Sequence, residues 1–263
     1  LLLAEEDRAR RAIQQAIDTV GTACEEAADA LRRGGRVIYA GAGTSGRLGV
    51  LDAAEMPPTF GADPGRIVAL IAGGGAAVTK SIEGAEDDRN AGASALLALR
   101  PTAADYVVGI TMSGTAAYVG GVLDAARGRR ALVTANPSST LRAETRIVLD
   151  LGAELLAGST RLKGGSATKV VLNMISTAAM AGSGAVYGNL MVRVRPVNRK
   201  LRDRAERLVM RLTGLERDAA APLLRDAEDD VCIAALMARK RLDRASARAA
   251  LDAAGGNLRR ALA

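Results

Sequence analysis

Five short apolar segments, each followed by a helical pattern, constrain the fold of this chain more than any other feature. The segments cover residues 36–40, 67–71, 105–110, 130–134 and 146–151. Continuous apolar strands of this length that alternate with helices are typical of a parallel sheet covered by helices on both faces. The sequence therefore predicts a three-layer α/β domain with a five-stranded parallel sheet, and ligands of such sheets bind at the carboxyl ends of the strands.

Helical patterns lie between the five segments and also precede and follow them along the chain. Apolar residues at spacings of three and four predict one amphipathic helix over residues 5–33. Residues 199–263 are rich in arginine and alanine and predict a small helical bundle, so we divide the chain into domains at 1–198 and 199–263. The other helices are predicted at residues 45–55, 76–84, 90–99, 116–127 and 163–181.

The first predicted strand leads into a glycine-rich turn with the sequence GAGTSG, residues 41–46. Gly43 and its neighbouring glycines let the backbone approach a ligand closely, and Thr44 and Ser45 bring hydroxyls to a helix N-terminus that attracts anions. The spacing also fits a dinucleotide fingerprint, which requires an acidic residue at the end of the second strand. This chain has Ala72 and three glycines there. The turn therefore favours a small phosphate ester over a dinucleotide.

A second turn of similar composition, residues 111–115, follows the third predicted strand. It offers Ser113, Gly114 and Thr115, again small hydroxyl residues with a glycine. Because the carboxyl ends of parallel strands lie at one edge of a sheet, both turns are predicted to hold the same phosphate. The alternative is an ordinary polar turn between a strand and a helix.

A third polar segment opens the long apolar helix and contains Ser159, Arg161 and Lys163. Hydroxyls and cations at a helix start can hold an anion, so these residues are candidate substrate contacts. The alternative, which the pattern slightly favours, is a capped helix with solvated charges.

Glu55 follows a predicted helix and stands just before Pro57 and Pro58, which are expected to end that helix. The helix macrodipole disfavours an anion at this position, so a partly buried Glu55 would favour its protonated form and could act as a general acid. A second carboxylate for the same cleft could come from an acidic cluster after the second strand. Spacing alone does not choose among Glu83, Glu86, Asp87 and Asp88.

The absence of histidine limits the chemistry that the chain can perform. It excludes Ser-His-Asp and Cys-His mechanisms and histidine metal sites, so proton transfer falls to carboxylates or other groups. The net charge of +7 raises the question of nucleic acid, but the arginines alternate with acids and aromatic residues make up only 2%. Such a chain lacks the stacking platforms of single-strand binders, and we predict no nucleic-acid partner.

Two further features bear on the compartment. Cys24 and Cys232 have no metal-like spacing and are typical of free, buried thiols in a reducing environment. Residues 170–192 carry no charge, but polar residues and glycines interrupt them, which indicates a buried helix and turn rather than a membrane span.

Five longer runs follow one another along the chain: GAGTSGRLGVLDAAEMPPTFG, ALIAGG, IEGAED, GSTRLKGGSATKVVLNMIST and YGNLMV. Together they resemble the N-acetylmuramic acid 6-phosphate etherase family over nearly the whole chain. The resemblance implies a flavodoxin-like SIS domain with a UBA-like helical region at its C-terminal end. It also implies a homodimeric enzyme of the bacterial cytoplasm that recycles cell-wall amino sugars and needs no cofactor.

The resemblance further implies a reaction in which N-acetylmuramic acid 6-phosphate and water give N-acetylglucosamine 6-phosphate and D-lactate. It assigns the two active-site glutamates to Glu55 and Glu86. In the open-chain sugar, the C2 proton is acidic because it lies next to the C1 aldehyde. One carboxylate can remove it while a carboxylic acid protonates the departing lactate oxygen. We expect Glu86 to be the base and Glu55 the acid, and the reverse assignment stays open.

The chain also departs from this family. Thr115, Ala116 and Ala117 stand where the family usually has Arg-Thr-Pro, and the family carries a further segment ahead of Leu1. Two other functions of the same superfamily are alternatives. A non-catalytic phosphosugar-binding regulator, of the glucokinase regulatory protein type, would need neither glutamate. An aldose–ketose isomerase often uses a histidine, which this chain lacks.

Overall fold

The computed structural model describes all residues from 1 to 263. The chain folds into two compact units. The first consists of Leu1–Ala54 and Pro64–Ala179, and the second of Glu55–Asp63 and Met180–Ala263. The domain boundary predicted after residue 198 lies inside the second unit and stays a prediction.

A five-stranded sheet forms the centre of the first unit. All neighbouring strands are parallel, in the order β2-β1-β3-β4-β5, which confirms the predicted fold class. From β1 the chain continues to β2 on one side of it, whereas β3 lies on the other side of β1. The strand order therefore reverses between β1 and β3, and sheets of this kind bind ligands at that point. The strands are β1 (Val37–Gly41), β2 (Ile67–Ile71), β3 (Tyr106–Ile110), β4 (Arg129–Thr134) and β5 (Thr145–Val148).

Twelve α-helices accompany the sheet. In the first part of the chain they are α1 (Leu2–Gln15), α2 (Ile17–Arg32), α3 (Gly43–Ala54), α4 (Met56–Phe60), α5 (Arg89–Ala98), α6 (Ala117–Ala125) and α7 (Lys163–Gly182). The C-terminal helices are α8 (Arg199–Thr213), α9 (Arg217–Asp226), α10 (Val231–Lys240), α11 (Arg244–Ala253) and α12 (Leu258–Leu262). No helix among them combines the length and the apolar character that crossing a membrane requires.

Two helix predictions were wrong. The single helix predicted over residues 5–33 is interrupted at Ala16, whose N–H lies within hydrogen-bond distance of two preceding carbonyls, as in a tightened 3₁₀ turn. The helix predicted at 76–84 is replaced by two 3₁₀ helices, Gly74–Val78 and Ala85–Asp87. Glycines with positive φ precede both of them, and an α-helix cannot pass through that backbone conformation.

The proline pair after Glu55 does more than end a helix. α3 ends at Ala54, and α4 begins at Met56 with Pro57 and Pro58 in its first turn. Proline is well suited to that position because its fixed φ is helical and its missing N–H would have no intrahelical acceptor. The two prolines therefore redirect the chain into a second short helix.

The C-terminal helices pack around α10 in the second unit. Residues 231–236 of α10 are all buried, and apolar residues of α8, α9, α11 and α12 complete this core. Side chains of Asn198, Asp230, Asp243 and Asn257 accept hydrogen bonds from the first turns of the helices that follow them. The predicted C-terminal helical region is confirmed. Cys232 is a free, buried thiol in this core, whereas Cys24 is free and half-buried in the first unit.

Candidate functional site

The turn after β1 closes tightly because two of its glycines touch. A Cβ atom added to Gly41 would lie 2.6 Å from the backbone nitrogen of Gly46. One added to Gly46 would meet Ile71 and the Gly41 carbonyl at 2.6 and 2.7 Å. α3 begins at Gly43, so the N–H groups of residues 43–45 belong to a first helical turn, where N–H groups have no intrahelical acceptor. The turn therefore presents backbone donors suited to an anion.

The turn after β3 presents hydroxyl groups and is held by a hydrogen bond from Ser139. Ser113 Oγ lies 3.0 Å from Thr115 Oγ1, and both side chains are exposed. Gly114 has a φ of 71°, and its carbonyl accepts a 2.6 Å hydrogen bond from the Ser139 hydroxyl. A Cβ at Gly114 would meet Ser139 Cβ at 2.7 Å, so only glycine fits here.

The N-terminus of α7 lies beside both turns. A Cβ added to Gly165 would be in contact with Thr44 Cγ2 at 3.6 Å, and one added to Gly164 would lie 3.3 Å from Met112 Cγ. Thr168 of the same helix also contacts Met112, with 3.7 Å between Oγ1 and Sδ. The turn at residues 41–46, the turn at 111–115 and the start of α7, which the sequence analysis treated separately, are therefore neighbours at the carboxyl edge of the sheet.

The three polar residues ahead of α7 differ in their surroundings. Ser159 is half-buried and Arg161 is exposed, whereas the Lys163 side chain is only 1% exposed. The Lys163 ammonium donates to the Glu5 carboxylate and, at 2.5 Å, to the Ala153 carbonyl. This hydrogen bond from Lys163 holds the pKa of Glu5 below its usual value. Lys163 is thus neither solvated nor open to the turns, because α1 supplies its partner.

A carboxylate of the chain itself caps the start of α7. Glu154 Oε1 accepts a 2.9 Å hydrogen bond from the N–H of Gly164. Glu6 of α1 accepts a 3.1 Å bond from the Ser166 hydroxyl. The first turn of α7 is therefore held by acidic side chains of the first unit.

Glu86 lies close to the glycine-rich turn. It is exposed, belongs to the second 3₁₀ helix, and lines a cavity of about 190 Å³ together with Ala42 and Gly43. Glu83 lines the same cavity, and its carboxylate accepts a 3.0 Å bond from Ser81.

The other two acids of this cluster stand apart from that cavity. Asp88 caps α5 by accepting a 2.8 Å bond from the N–H of Ala91. Asp87 is exposed and is absent from the cavity lining. Geometry therefore reduces the four candidate carboxylates to two, Glu83 and Glu86.

Glu55 lies at the junction of two helices. It follows the last residue of α3 and is the N-cap residue of α4, and its carbonyl accepts a 3.1 Å bond from the N–H of Thr59. The predicted preference for the protonated form required partial burial, but the Glu55 side chain is exposed. The dipoles of the preceding and following helices also act on this residue in opposite senses.

Two cationic residues at this edge escaped the sequence analysis. Arg47 Nε donates to the carbonyls of Ala77 and Val78 at 3.0 Å each, and Nη2 donates to the carbonyl of Lys80 at 2.8 Å. Arg47 and Lys80 both line the cavity that contains Glu86. The position of Arg47, one helical turn after Gly43, was a signal that it could reach the same end of α3.

A buried polar network fixes α3 inside the first unit. The Asp52 carboxylate accepts hydrogen bonds from the Tyr39 hydroxyl at 2.9 Å, Asn173 Nδ2 at 2.7 Å and Ser176 Oγ at 3.1 Å. Burial raises the pKa of Asp52, although the three donors counteract part of that shift. The network joins α3 to β1 and α7, and it explains why Asn173 and Ser176 occur in an otherwise apolar helix.

These features define a class of protein: an α/β domain whose parallel sheet carries, at its switch point, two turns with backbone donors and hydroxyls suited to an anion. The family model of the glucokinase regulatory protein N-terminal SIS domain matches residues 19–127. Proteins named N-acetylmuramic acid 6-phosphate etherase match over almost the whole chain.

The relative from Gloeobacter violaceus is 51% identical and covers 98% of this chain and 86% of its own length. A relative from an Enterobacter species is 49% identical, with 95% and 86% covered, and one from Salmonella agona is 49% identical, with 98% and 89% covered. The chain belongs to the N-acetylmuramic acid 6-phosphate etherase family.

Proposed function

We propose that this protein cleaves the lactyl ether of N-acetylmuramic acid 6-phosphate and releases N-acetylglucosamine 6-phosphate and D-lactate. The observation that carries the proposal is the cavity in which Glu86 lies beside Gly43 of the glycine-rich turn. A carboxylate and an anion-binding helix start within one cavity suit proton transfer on a phosphorylated sugar. Membership of the etherase family supplies the identity of that sugar.

The phosphate is assigned to the two turns at the carboxyl edge. The N–H groups of Gly43, Thr44 and Ser45 donate to it from one side, and Ser113, Gly114 and Thr115 bind it from the other. Thr115 Oγ1 lies within hydrogen-bond distance of Ser113 Oγ, so it can supply the hydroxyl that the family pattern places one residue later.

Ser159 and Arg161, ahead of α7, are assigned to further substrate contacts, and Arg161 contributes positive charge. Lys163 supports this segment by holding the start of α7 through Glu5.

The reaction proceeds by elimination and hydration. With the ring open, the Glu86 carboxylate takes the C2 proton, and a double bond forms between C2 and C3 as the C3–O bond breaks. Glu55, in its protonated form, gives its proton to the departing lactate oxygen. Water then gives a proton to Glu55 and adds its hydroxyl at C3, while Glu86 gives its proton to C2, which restores both carboxyl groups to their starting states. A positioned acid or base of this kind contributes roughly 10²- to 10⁴-fold in rate.

The wider setting also follows from the family. The protein is proposed to act as a homodimer in the bacterial cytoplasm, where it serves the recycling of cell-wall amino sugars. Residues 1–198 are proposed to form the SIS phosphosugar-binding domain, and residues 199–263 a UBA-like helical domain.

The direct test is incubation with N-acetylmuramic acid 6-phosphate in deuterated water. We expect D-lactate and a sugar product with deuterium at C2. Glu86→Gln should abolish both lactate release and exchange at C2, whereas Glu55→Gln should abolish lactate release and leave the exchange.

Asp87→Asn, a neighbour of Glu86 outside the cavity lining, is the matched control and should behave like the unmodified protein. Lactate release without deuterium at C2 would contradict the elimination route. Loss of exchange in Glu83→Gln with retention in Glu86→Gln would assign the base to Glu83.

The etherase relatives, 49–51% identical over nearly the whole chain, do not favour the alternative candidate, a phosphosugar-binding regulator without catalysis. This candidate predicts that the protein binds the sugar phosphate and releases no lactate. The same incubation separates the two functions.

A further inference from the structure

The proposed substrate carries two anions, and the site described so far accounts for one of them. The phosphate faces backbone donors and hydroxyls at the two turns. The lactyl group bears a carboxylate that must lie near the scissile ether, and therefore near the carboxylate that removes the C2 proton. An anion placed beside Glu86 needs a cation to offset the repulsion.

Four cations near this edge differ in their availability, and one of them, Arg161, is exposed but absent from the lining of the cavity that contains Glu86. The Lys163 ammonium is buried against Glu5, and the Arg47 guanidinium is occupied by three backbone carbonyls. Lys80 is exposed, and its ammonium forms no ion pair or hydrogen bond within the chain. It lines the same cavity as Gly43 and Glu86.

We propose that Lys80 binds the lactyl carboxylate and so makes the enzyme specific for ethers that carry an acid. This inference rests on the proposed function and adds a substrate contact to it. The Lys80 ammonium would draw the lactyl group to the side of the cavity that Glu86 lines. The same charge would stabilise lactate as it leaves with its carboxylate ionised.

The backbone of Lys80 is held in place independently of its side chain. Arg47 Nη2 donates to the Lys80 carbonyl at 2.8 Å, and Arg47 Nε binds the two carbonyls near the end of the preceding 3₁₀ helix. Arg47 lies on α3, the helix whose first turn is assigned to the phosphate. The segment that carries Lys80 is therefore hydrogen-bonded to the helix whose first turn is assigned to the phosphate.

The test compares two substrates with two variants. The substrates are N-acetylmuramic acid 6-phosphate and its lactamide, in which an uncharged carboxamide replaces the carboxylate. Lys80→Met should lower kcat/KM for the acid by roughly 10- to 100-fold, mainly through KM, and change kcat/KM for the amide by less than about threefold. Lys80→Arg should retain most of the preference for the acid, because it retains the charge. Lys240→Met, at the end of α10, is the matched control and should leave both values unchanged.

Two results with an active wild-type protein would overturn this inference alone. One is an equal loss on both substrates in Lys80→Met, which would indicate a structural role. The other is a loss restricted to the acid in Arg161→Met but absent from Lys80→Met. A wild-type protein that releases no lactate from the natural substrate would instead overturn the proposed function, and the inference with it.

Discussion

The two edges of the central sheet are built from different interactions. At the amino edge, Arg36 and Asp105 precede β1 and β3 and form an ion pair with 2.7 Å between Nη2 and Oδ2. Asp105 also accepts the N–H groups of Arg36 and Thr102 and is only 2% exposed. At the carboxyl edge, close glycine contacts hold the turn after β1, and exposed hydroxyls occupy the turn after β3. The ion pair that joins β1 to β3 at the amino edge therefore differs in kind from the two turns at the carboxyl edge, where binding is proposed.

The largest effect on stability is expected at the amino edge. Asp105→Ala removes the carboxylate partner of the Arg36 guanidinium, which keeps the Leu99 carbonyl as an acceptor at 3.0 Å, and leaves the backbone N–H groups of Arg36 and Thr102 without theirs. Leaving buried donors unsatisfied costs about 1–3 kcal/mol each, so the free energy of unfolding should fall by about 2–6 kcal/mol. Denaturant unfolding at neutral pH measures the loss.

At a temperature where the Asp105→Ala variant is still folded, its kcat/KM should stay within about threefold of wild type, a factor of less than 1 kcal/mol. Asp29→Ala removes the acceptor of an exposed ion pair with Arg33 and should cost less than about 1 kcal/mol. Equal destabilisation by the two substitutions would contradict the distinction between the edges.

The same ion pair predicts a pH dependence. Burial alone would raise the pKa of Asp105, but the hydrogen bonds from Arg36 and Thr102 outweigh it and hold the pKa below its usual value. The carboxylate therefore stabilises the fold above the unfolded-state pKa of about 3.9, and this stabilisation is lost as the pH falls toward the folded-state pKa. The difference in unfolding free energy between wild type and Asp105→Asn should shrink below pH ~4. A difference that grows with acidification would exclude this assignment.

At the carboxyl edge we expect a substitution to lower activity strongly and stability less. Gly41→Ala places a Cβ 2.6 Å from the Gly46 nitrogen and forces the turn open. Overpacking of this kind costs about 1–3 kcal/mol of stability. Displacing the phosphate donors by ~1 Å should lower kcat/KM by about 100-fold.

The matched control for that substitution is Gly21→Ala, in the interior of α2. A Cβ added there meets no atom within 4 Å, so the substitution should raise stability by about 0.5–1 kcal/mol and leave kinetics unchanged. Unaltered kinetics in Gly41→Ala would remove the turn from the site.

A smaller effect is expected for Arg47→Lys. Lysine keeps the charge but cannot bind three carbonyls in the fork geometry of a guanidinium. The loop that carries Lys80 and Glu86 should loosen, and kcat/KM should fall by about tenfold with less than ~1 kcal/mol of lost stability.

Arg66→Lys at the amino edge alters a guanidinium that donates to one backbone carbonyl, that of Leu31, and is the control for arginine replacement. If Arg66→Lys lowered kcat/KM as much as Arg47→Lys does, the effect would be a general one of arginine replacement.

The sequence predicted the strands and the two turns because their signals are local. Each strand is an apolar run, and the turns at 41–46 and 111–115 combine glycine with hydroxyl residues. The environment of Lys163 could not be predicted, since its partner Glu5 lies 158 positions earlier in the chain. Likewise, the sequence does not distinguish Arg47 from other charged helix residues, because its contacts form only when the loop after β2 folds against α3. The helix predicted at 76–84 failed because glycines 73, 74 and 84 adopt positive φ angles, which the sequence permits but does not require.

We propose above that Glu86, in one cavity with the turn assigned to the phosphate, removes the C2 proton. The most direct measurement is the rate of deuterium incorporation at C2 of N-acetylglucosamine 6-phosphate in deuterated water, which requires no cleavage of an ether. We expect incorporation by the wild-type protein and by Glu55→Gln, and none by Glu86→Gln. Undiminished incorporation by Glu86→Gln would contradict it.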